Sequence, residues 1–180
     1  MKQALTALNT LVDRGVICQY AIGGAIAASF YIEATATEDI DVFVVLQPAS
    51  GSQLLSLIPI YDELKKLGGV VQGEYIKLGN WPVQILPAYK QIIEDALEES
   101  VVVEYHEIPT RIFTAEYLCA IALDTKRMKD YYRVGMFIEQ EAVDVHVLKR
   151  HIEKYGLEES VKKVINWKNP DENKPTTPRR

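Results

Sequence analysis

Two short segments, separated by fourteen residues, constrain this chain more than any other feature of its sequence. The first, residues 20–24, ends an apolar run with a glycine pair, and the second, residues 39–45, opens with Asp-Ile-Asp before a β-branched run. Successive side chains of a β-strand point to opposite faces, so Asp39 and Asp41 are predicted on one face and Ile40 and Val42 on the other. The pattern predicts a strand with one buried face and a pair of carboxylates on the other.

Carboxylates one strand period apart can share a divalent cation. Mg²⁺ prefers oxygen ligands and usually keeps one or two protein carboxylates, with water and substrate phosphates completing its shell. Asp39 and Asp41 are therefore predicted to bind Mg²⁺. Gly23 and Gly24 have no Cβ, so their backbone can approach a phosphate closely, and a helix predicted over residues 25–31 would add a favourable dipole. The alternative is a glycine turn followed by a strand with a solvated acidic face.

The order and spacing of these segments resemble the signature of the DNA polymerase beta-like nucleotidyltransferase superfamily, a hydrophobic-Gly-Gly turn, a helix and then Asp-hydrophobic-Asp. Thr37 also matches, whereas Thr35 stands where many small members have arginine. The resemblance implies an α/β fold, with a small mixed sheet flanked by helices, and Thr37 in the nucleotide site. It also implies transfer of a nucleoside monophosphate from an NTP to a hydroxyl on RNA, protein or a small molecule.

A second segment, residues 116–130, resembles the helical part of the AbiEii-type branch of that superfamily, where a Leu/Ala-rich helix leads into Arg-x-Lys-Asp. Arg127, Lys129 and Asp130 match this pattern. The resemblance implies that Lys126, Arg127 or Lys129 offsets the charge of a triphosphate. It also implies a toxin of a toxin-antitoxin pair, with an antitoxin as partner. The alternative is a solvated basic turn between two helices.

Two positions depart from these patterns. Gln84 stands in residues 82–87, a segment where relatives often keep a third carboxylate, and Ala122 stands where many AbiEii-like chains have lysine. An amide binds Mg²⁺ weakly and cannot act as a base, so Gln84 is predicted to contact the nucleotide without activating the acceptor hydroxyl. The alternative function is a catalytically silent nucleotide-binding module or a toxin-antitoxin interaction module.

Composition is consistent with this prediction. The chain has 180 residues, of which 48% are hydrophobic and 25% charged, enough to bury a core in one domain. Residues 1–100 hold six Lys/Arg against twelve Asp/Glu, and residues 101–180 hold fourteen against thirteen. This balance disfavours a dedicated nonspecific nucleic-acid binder, although an RNA end could still dock on the basic segments.

Cysteine and hydropathy patterns indicate where the protein works. Cys18 and Cys119 lie in apolar stretches without metal-ligand spacing, so both are predicted to be buried thiols in a reducing compartment. No apolar run approaches the roughly 18 residues of a membrane span. The chain is therefore predicted to be soluble and cytoplasmic, with no membrane partner.

Apolar periodicity and turn residues predict the organisation of the chain. Residues 1–113 are predicted to form the α/β core, residues 114–168 a helical part of the same domain, and residues 169–180 a flexible tail. Helices are predicted over residues 4–12, 23–31, 54–67 and 88–97, and from an N-cap at Thr114 to about Trp167. Strands are predicted over residues 16–22, 40–46, 70–78, 81–86, 101–105 and 111–113, with a loop over 48–51 and a hairpin turn at Gly79-Asn80.

Overall fold

The fold is described from a computed structural model, which covers residues 1–46 and 56–168, with only the backbone for 165–168. The predicted loop at 48–51, the start of the predicted helix at 54 and the predicted tail at 169–180 lie outside these residues. The helices are α1 (Lys2–Asp13), α2 (Gly24–Ala28), α3 (Ile58–Lys66), α4 (Gln91–Glu98), α5 (Ala115–Thr125), α6 (Met128–Glu139), α7 (Val145–Tyr155) and α8 (Glu158–Lys168). The strands are β1 (Tyr20–Ile22), β2 (Ile40–Val44), β3 (Val70–Gln72), β4 (Tyr75–Leu78), β5 (Trp81–Pro87), β6 (Val101–Tyr105) and β7 (Ile108–Ile112).

The chain divides into two compact units, Met1–Thr114 and the residues from Ala115 onward. The first unit holds the strands in one seven-stranded sheet of order β3-β4-β5-β2-β1-β7-β6. The pairs β2/β5 and β1/β7 are parallel, and the other neighbours are antiparallel. The predicted α/β class with a mixed sheet is therefore confirmed.

The central strand β2 has the alternation that its sequence predicts. Ile40, Val42 and Val44 are fully buried, whereas Asp41 and Phe43 are only partly buried. Burial of β-branched side chains on one face fixes the register, because a slip of one residue would move all three to the other face. The register of β2 therefore also determines where Asp41 lies.

The region over residues 70–78 differs from the prediction of one continuous strand. It forms two antiparallel strands, β3 and β4, separated by a tight turn at Gly73 and Glu74. Gly73 has φ +62°, in the left-handed region where glycine lacks the Cβ penalty of other residues. The turn allows the chain to reverse within this apolar run, and it puts Tyr75 at the start of β4.

Other element boundaries shift by a few residues. The first strand begins at Tyr20 rather than at residue 16, and β7 covers Ile108–Ile112 rather than 111–113. Helix α3 starts at Ile58 with Pro59 in its first turn, where proline is tolerated, so Pro59 does not lie in the helix interior. The predicted turn at Gly79-Asn80 is confirmed, since it joins β4 to β5.

The second unit consists of helices. Asp144 caps α7 by accepting hydrogen bonds from the backbone N–H groups of His146 and Val147, and Gly156 ends it with φ +65°. The rings of Tyr117 and His151 pack with centroids 4.2 Å apart. No helix among the described residues has both the length and the hydropathy needed to cross a bilayer.

The two cysteines differ in exposure. Cys119 on α5 is buried, as predicted, and burial raises the pKa of its thiol well above the ordinary value. The prediction that Cys18 is buried is wrong, because it lies exposed just before β1. Its apolar sequence neighbours had suggested a strand, but β1 begins two residues later, at Tyr20.

Candidate active site

The glycine pair connects β1 directly to α2. Gly23 is the N-cap of α2, and its backbone N–H donates a hydrogen bond to the carbonyl oxygen of Asp41, at 2.9 Å. Gly24 follows with φ +58°, a conformation that residues with a Cβ rarely adopt. The turn is therefore tied to β2 at the residue that carries the second carboxylate.

The structure leaves no room for a side chain at either glycine. A Cβ on Gly24 would overlap Oδ2 of Asp41 and lie 3.1 Å from its Cγ. A Cβ on Gly23 would lie 2.6 Å from Cε2 of Phe43 and 3.3 Å from Cδ2 of Phe113, two rings whose centroids are 4.9 Å apart. Gly24 therefore contacts the acidic site itself, whereas Gly23 lies against an aromatic pair.

This geometry changes what the turn can offer a phosphate. The N–H of Gly23 already bonds to Asp41, so a phosphate would have to be bound by the N–H groups that follow it. The backbone N–H groups of the first helical turn have no hydrogen-bond acceptor within α2 itself. Because α2 has five residues, shorter than the predicted 23–31, its dipole is small and local N–H groups matter more.

The two aspartates lie together at the start of β2. Asp39 directly precedes the strand, and the hydroxyl of Thr37 donates to its Oδ1 at 3.3 Å and is 3.4 Å from its carbonyl oxygen. Both aspartates are partly buried. Thr37 thus holds the first carboxylate at the edge of the site, and the register of β2 holds the second.

A row of side chains extends from Asp41 across two further strands. In the parallel pair β2/β5 Asp41 lies opposite Gln84, and in the antiparallel pair β4/β5 Gln84 lies opposite Tyr75. Residues opposite each other on neighbouring strands point to the same face of a sheet. Asp41, Gln84 and Tyr75 therefore share a face.

Tyr75 is a site residue that the sequence analysis missed. Burial raises the pKa of its phenol, and the negative charges of Glu74, Asp39 and Asp41 and a hydrogen bond with Asp39 raise it further. Its O–H is therefore a donor to the carboxylate of Asp39 and close to Asp41. The register of the Gly79-Asn80 hairpin could have identified it, because counting back from that turn pairs residue 75 with residue 84.

Gln84 has a carboxylate beside it. Its Nε2 donates to Oε2 of Glu74 at 3.2 Å, from the exposed turn that precedes β4. Gln84 itself cannot accept a proton from a reacting hydroxyl. Glu74, one hydrogen bond away, carries the carboxylate that Gln84 lacks.

The donor set fits Mg²⁺. Asp39 and Asp41 both act on the Tyr75 phenol, and the amide of Gln84 lies opposite Asp41. Within residues 1–46 and 56–168, no three His, Cys, Asp or Glu side chains are arranged to hold a metal. Two carboxylates without nitrogen or sulfur ligands suit a cation that takes the rest of its shell from water and phosphate, and do not suit structural zinc.

The predicted basic residues belong to the helical unit. Lys126 and Arg127 form the turn between α5 and α6, with Lys126 at φ +60°, and Lys129 is exposed in the first turn of α6. This geometry matches the alternative of a solvated basic turn between two helices. That these side chains offset a triphosphate stays a prediction.

The same segment is organised around a buried acid. Asp130 has 1% of its surface exposed and accepts hydrogen bonds from Thr125 Oγ1 at 2.7 Å, Arg127 Nε at 2.5 Å and an Arg133 guanidinium nitrogen at 3.3 Å. Ala122 on the preceding helix is also buried. In this chain, Asp130 of the Arg-x-Lys-Asp segment ties α5 to α6.

Comparisons with known proteins place this fold in a class. No protein-family model and no curated protein matches the chain. Among solved structures it is similar to nucleotidyltransferase-like proteins, so the predicted nucleotidyltransferase fold is confirmed. An antigenic nucleotidyltransferase-like protein from Paracoccidioides brasiliensis matches with a TM-score of 0.61 and 14% identity, over 94% of this chain and 90% of its own. The antibiotic-resistance factor ANT(2'')-Ia matches with a TM-score of 0.53 and 13% identity, over 90% of this chain and 95% of its own.

Proposed function

We propose that this protein is a Mg²⁺-dependent nucleotidyltransferase that moves a nucleoside monophosphate from an NTP to a hydroxyl acceptor. The observation that carries the proposal is the contact between Gly24 and the Asp41 carboxylate, with Asp39 beside it. A left-handed glycine leaves room for an acidic side chain at a strand-to-helix turn, where a triphosphate and its cation could meet. The fold shared with nucleotidyltransferase-like structures supports the same function.

Each residue has a distinct role in this proposal. Asp39 and Asp41 would hold Mg²⁺, which when bound offsets charge on the phosphates and on the leaving group. Thr37 orients Asp39 through its hydroxyl. Gly23 and Gly24 shape the turn beside the phosphates.

The transfer step makes and breaks one bond at phosphorus. The acceptor oxygen bonds to the α-phosphorus, the bond to the α–β bridging oxygen breaks, and pyrophosphate leaves with that electron pair. The acceptor proton needs a base, which Gln84 cannot be and which Glu74 can supply from the same face.

Calorimetry tests the metal and nucleotide site directly. Each of the four NTPs is titrated into the full chain with Mg²⁺ and with EDTA, and binding is expected to weaken strongly without the metal. Asp39→Ala and Asp41→Asn are expected to lose this metal dependence with an unchanged circular dichroism spectrum. Asp62→Asn, an exposed acid on α3, serves as the matched control and should bind as the native chain does. Equal affinity with and without Mg²⁺ would reject the site.

A second function is favoured by one observation, the amide of Gln84 opposite Asp41. On this alternative the chain binds NTP without transfer, as a silent module or as the toxin-like partner of an antitoxin in the cytoplasm. A transfer assay with NTP radiolabelled at the α-phosphate, offered RNA, protein and small-molecule acceptors, distinguishes the two. Binding without any transfer would favour the silent module.

A further inference from the structure

We propose that the Tyr75 hydroxyl is itself an acceptor, so that the protein nucleotidylates its own β4 strand. The inference rests on the proposed function, because it uses the NTP and the carboxylates of that same site. It adds a modification site and assigns the acceptor as a phenol within the chain.

Tyr75 lies beside the residues that are proposed to hold the cation. Tyr75 lies on the same face as Asp41, two strands away through Gln84, and its side chain reaches back to hydrogen-bond with the Asp39 carboxylate. An acceptor hydroxyl in this chemistry has to lie beside the residues that hold the cation and the phosphates. Tyr75 meets that requirement without any other molecule binding.

Two other hydroxyl groups, those of Thr37 and Tyr61, lie near Asp39 and Glu74. The Thr37 hydroxyl, in the loop before β2, also contacts Asp39. It lies within hydrogen-bond reach of both the side chain and the backbone carbonyl of Asp39, so its role is to hold that carboxylate in place. The Tyr61 hydroxyl donates to the backbone carbonyl of Glu74 at 3.2 Å, and Glu74 is the carboxylate that acts on its phenol. Tyr75, by contrast, is held by the strand register on the face of the sheet that carries Asp41 and Gln84.

The chemical step needs only an NTP and side chains of this site. The phenolic oxygen bonds to the α-phosphorus of the NTP, the bond to the α–β bridging oxygen breaks, and pyrophosphate leaves with the electron pair. The phenolic proton passes to the carboxylate of Glu74, the residue directly before Tyr75, because Asp39, to which the phenol donates in the free protein, would hold the cation. The product is a tyrosyl nucleoside monophosphate ester, and no oxidant or reductant is required.

The test uses the full chain, Mg²⁺ and each of the four NTPs in turn, radiolabelled at the α-phosphate, with no added acceptor. We expect covalent label on the protein, with peptide mass spectrometry locating one nucleoside monophosphate on Tyr75. Tyr75→Phe should lose the label, whereas the matched control Tyr61→Phe should keep it. The intact mass of the protein as purified from the expression host gives an independent readout, since a self-modified chain carries the added nucleotide before any assay.

The outcomes separate this inference from the proposed function. Mg²⁺-dependent NTP binding without label, or with label on another residue, overturns self-modification and leaves the proposed function standing. Label on Tyr75 that persists in Asp41→Asn also overturns it, because the modification would then come from elsewhere. Absence of metal-dependent NTP binding in calorimetry would reject both self-modification and the proposed function.

Discussion

At the scale of single residues, two glycines with similar positive φ show what the absence of a Cβ does at two different places in the fold. Gly24 has φ +58° and Gly15 has φ +66°, so both would strain a residue with a Cβ. Their surroundings differ, because a Cβ at Gly24 would overlap the Asp41 carboxylate whereas one at Gly15 would meet nothing within 4 Å. Substitution of Gly15 therefore tests backbone strain alone, whereas substitution of Gly24 tests backbone strain together with displacement of the Asp41 carboxylate.

Gly24→Ala is expected to weaken Mg²⁺-dependent NTP binding by at least about tenfold, about 1.4 kcal/mol. The added methyl group has to displace the Asp41 carboxylate, and the left-handed backbone costs roughly 1–2 kcal/mol of folding free energy. Calorimetry measures the binding, and urea unfolding followed by circular dichroism measures the stability. Gly15→Ala is the control, with a similar loss of stability and unchanged binding. Equal binding by both variants would show that Gly24 matters for packing alone.

Gln84→Asp is expected to raise Mg²⁺-dependent transfer of label from α-labelled NTP. The substitution puts a carboxylate opposite Asp41, where it can accept the acceptor proton and add an oxygen ligand for the cation. The gain should vanish in the double variant with Asp41→Asn. Transfer by Gln84→Asp that is no faster than that of the native chain, with Asp39 and Asp41 intact, would contradict this and show that Glu74 alone is sufficient as the base.

At the scale of elements, the sheet shows what could be predicted and what could not. Alternation in residues 39–45 correctly gave the buried face of β2, because that pattern is local. Asp39 lies just before the strand, and its common face with Asp41 stays a prediction. Tyr75 was missed because its place beside Gln84 depends on strand pairing across the Gly79-Asn80 turn, and because the turn at Gly73 splits the predicted strand 70–78 just before it. A lone glycine inside an apolar run gives a weak turn signal, and the pairing of β4 with β5 decides the outcome.

In the helical segment over residues 116–130, the sequence did not indicate the role of Asp130. The resemblance implied that Lys126, Arg127 or Lys129 offsets the charge of a triphosphate. Nothing local to the sequence showed that Asp130 would be buried with Thr125, Arg127 and Arg133 around it. The spacing of three residues between Arg127 and Asp130 is compatible with a helical ion pair. Burial of the acid depends on packing between α5 and α6, which periodicity alone does not give.

Asp130→Ala is expected to lower the free energy of unfolding by about 3 kcal/mol, because removal of one member of a buried ion-pair cluster leaves the other charges uncompensated. Its three partners lose their common acceptor, and Arg133 is largely buried. Lys129→Ala, one residue earlier and exposed, is the control and should stay within about 0.5 kcal/mol of the native chain. Urea unfolding followed by circular dichroism measures both. Similar stability for the two variants would contradict the structural role of Asp130.

At the scale of the whole molecule, carboxylates in both units tie stability to pH. Hydrogen bonds with Lys66 and Arg14 lower the pKa of Glu63, and backbone N–H groups at the start of α7 lower the pKa of Asp144. A hydrogen bond with Lys162 lowers the pKa of Glu159. Groups with a lowered folded-state pKa stabilise the fold above their unfolded values, and that contribution disappears as the pH falls through the folded pKa.

The native chain is therefore expected to lose stability as the pH falls below the ordinary values of 4.5 for glutamate and 3.8 for aspartate. Asp144→Asn should match the native chain near pH 6, since asparagine caps a helix about as well, and should lose less stability in acid. Urea unfolding at a series of pH values measures the difference. A steeper acid loss in Asp144→Asn than in the native chain would contradict the assignment.

The pairing of β2 with β5 has a consequence for the order in which this molecule acquires its parts. Parallel neighbours cannot be joined by a tight turn, so the chain passes through α3, β3 and β4 before Gln84 comes to lie opposite Asp41. Contacts between residues so distant in sequence form late, because the intervening loop must be closed before they are gained. The nascent chain therefore carries its acidic pair and its glycine turn before β4 and β5 have been added, and the face shared by Asp41, Gln84 and Tyr75 forms only after that.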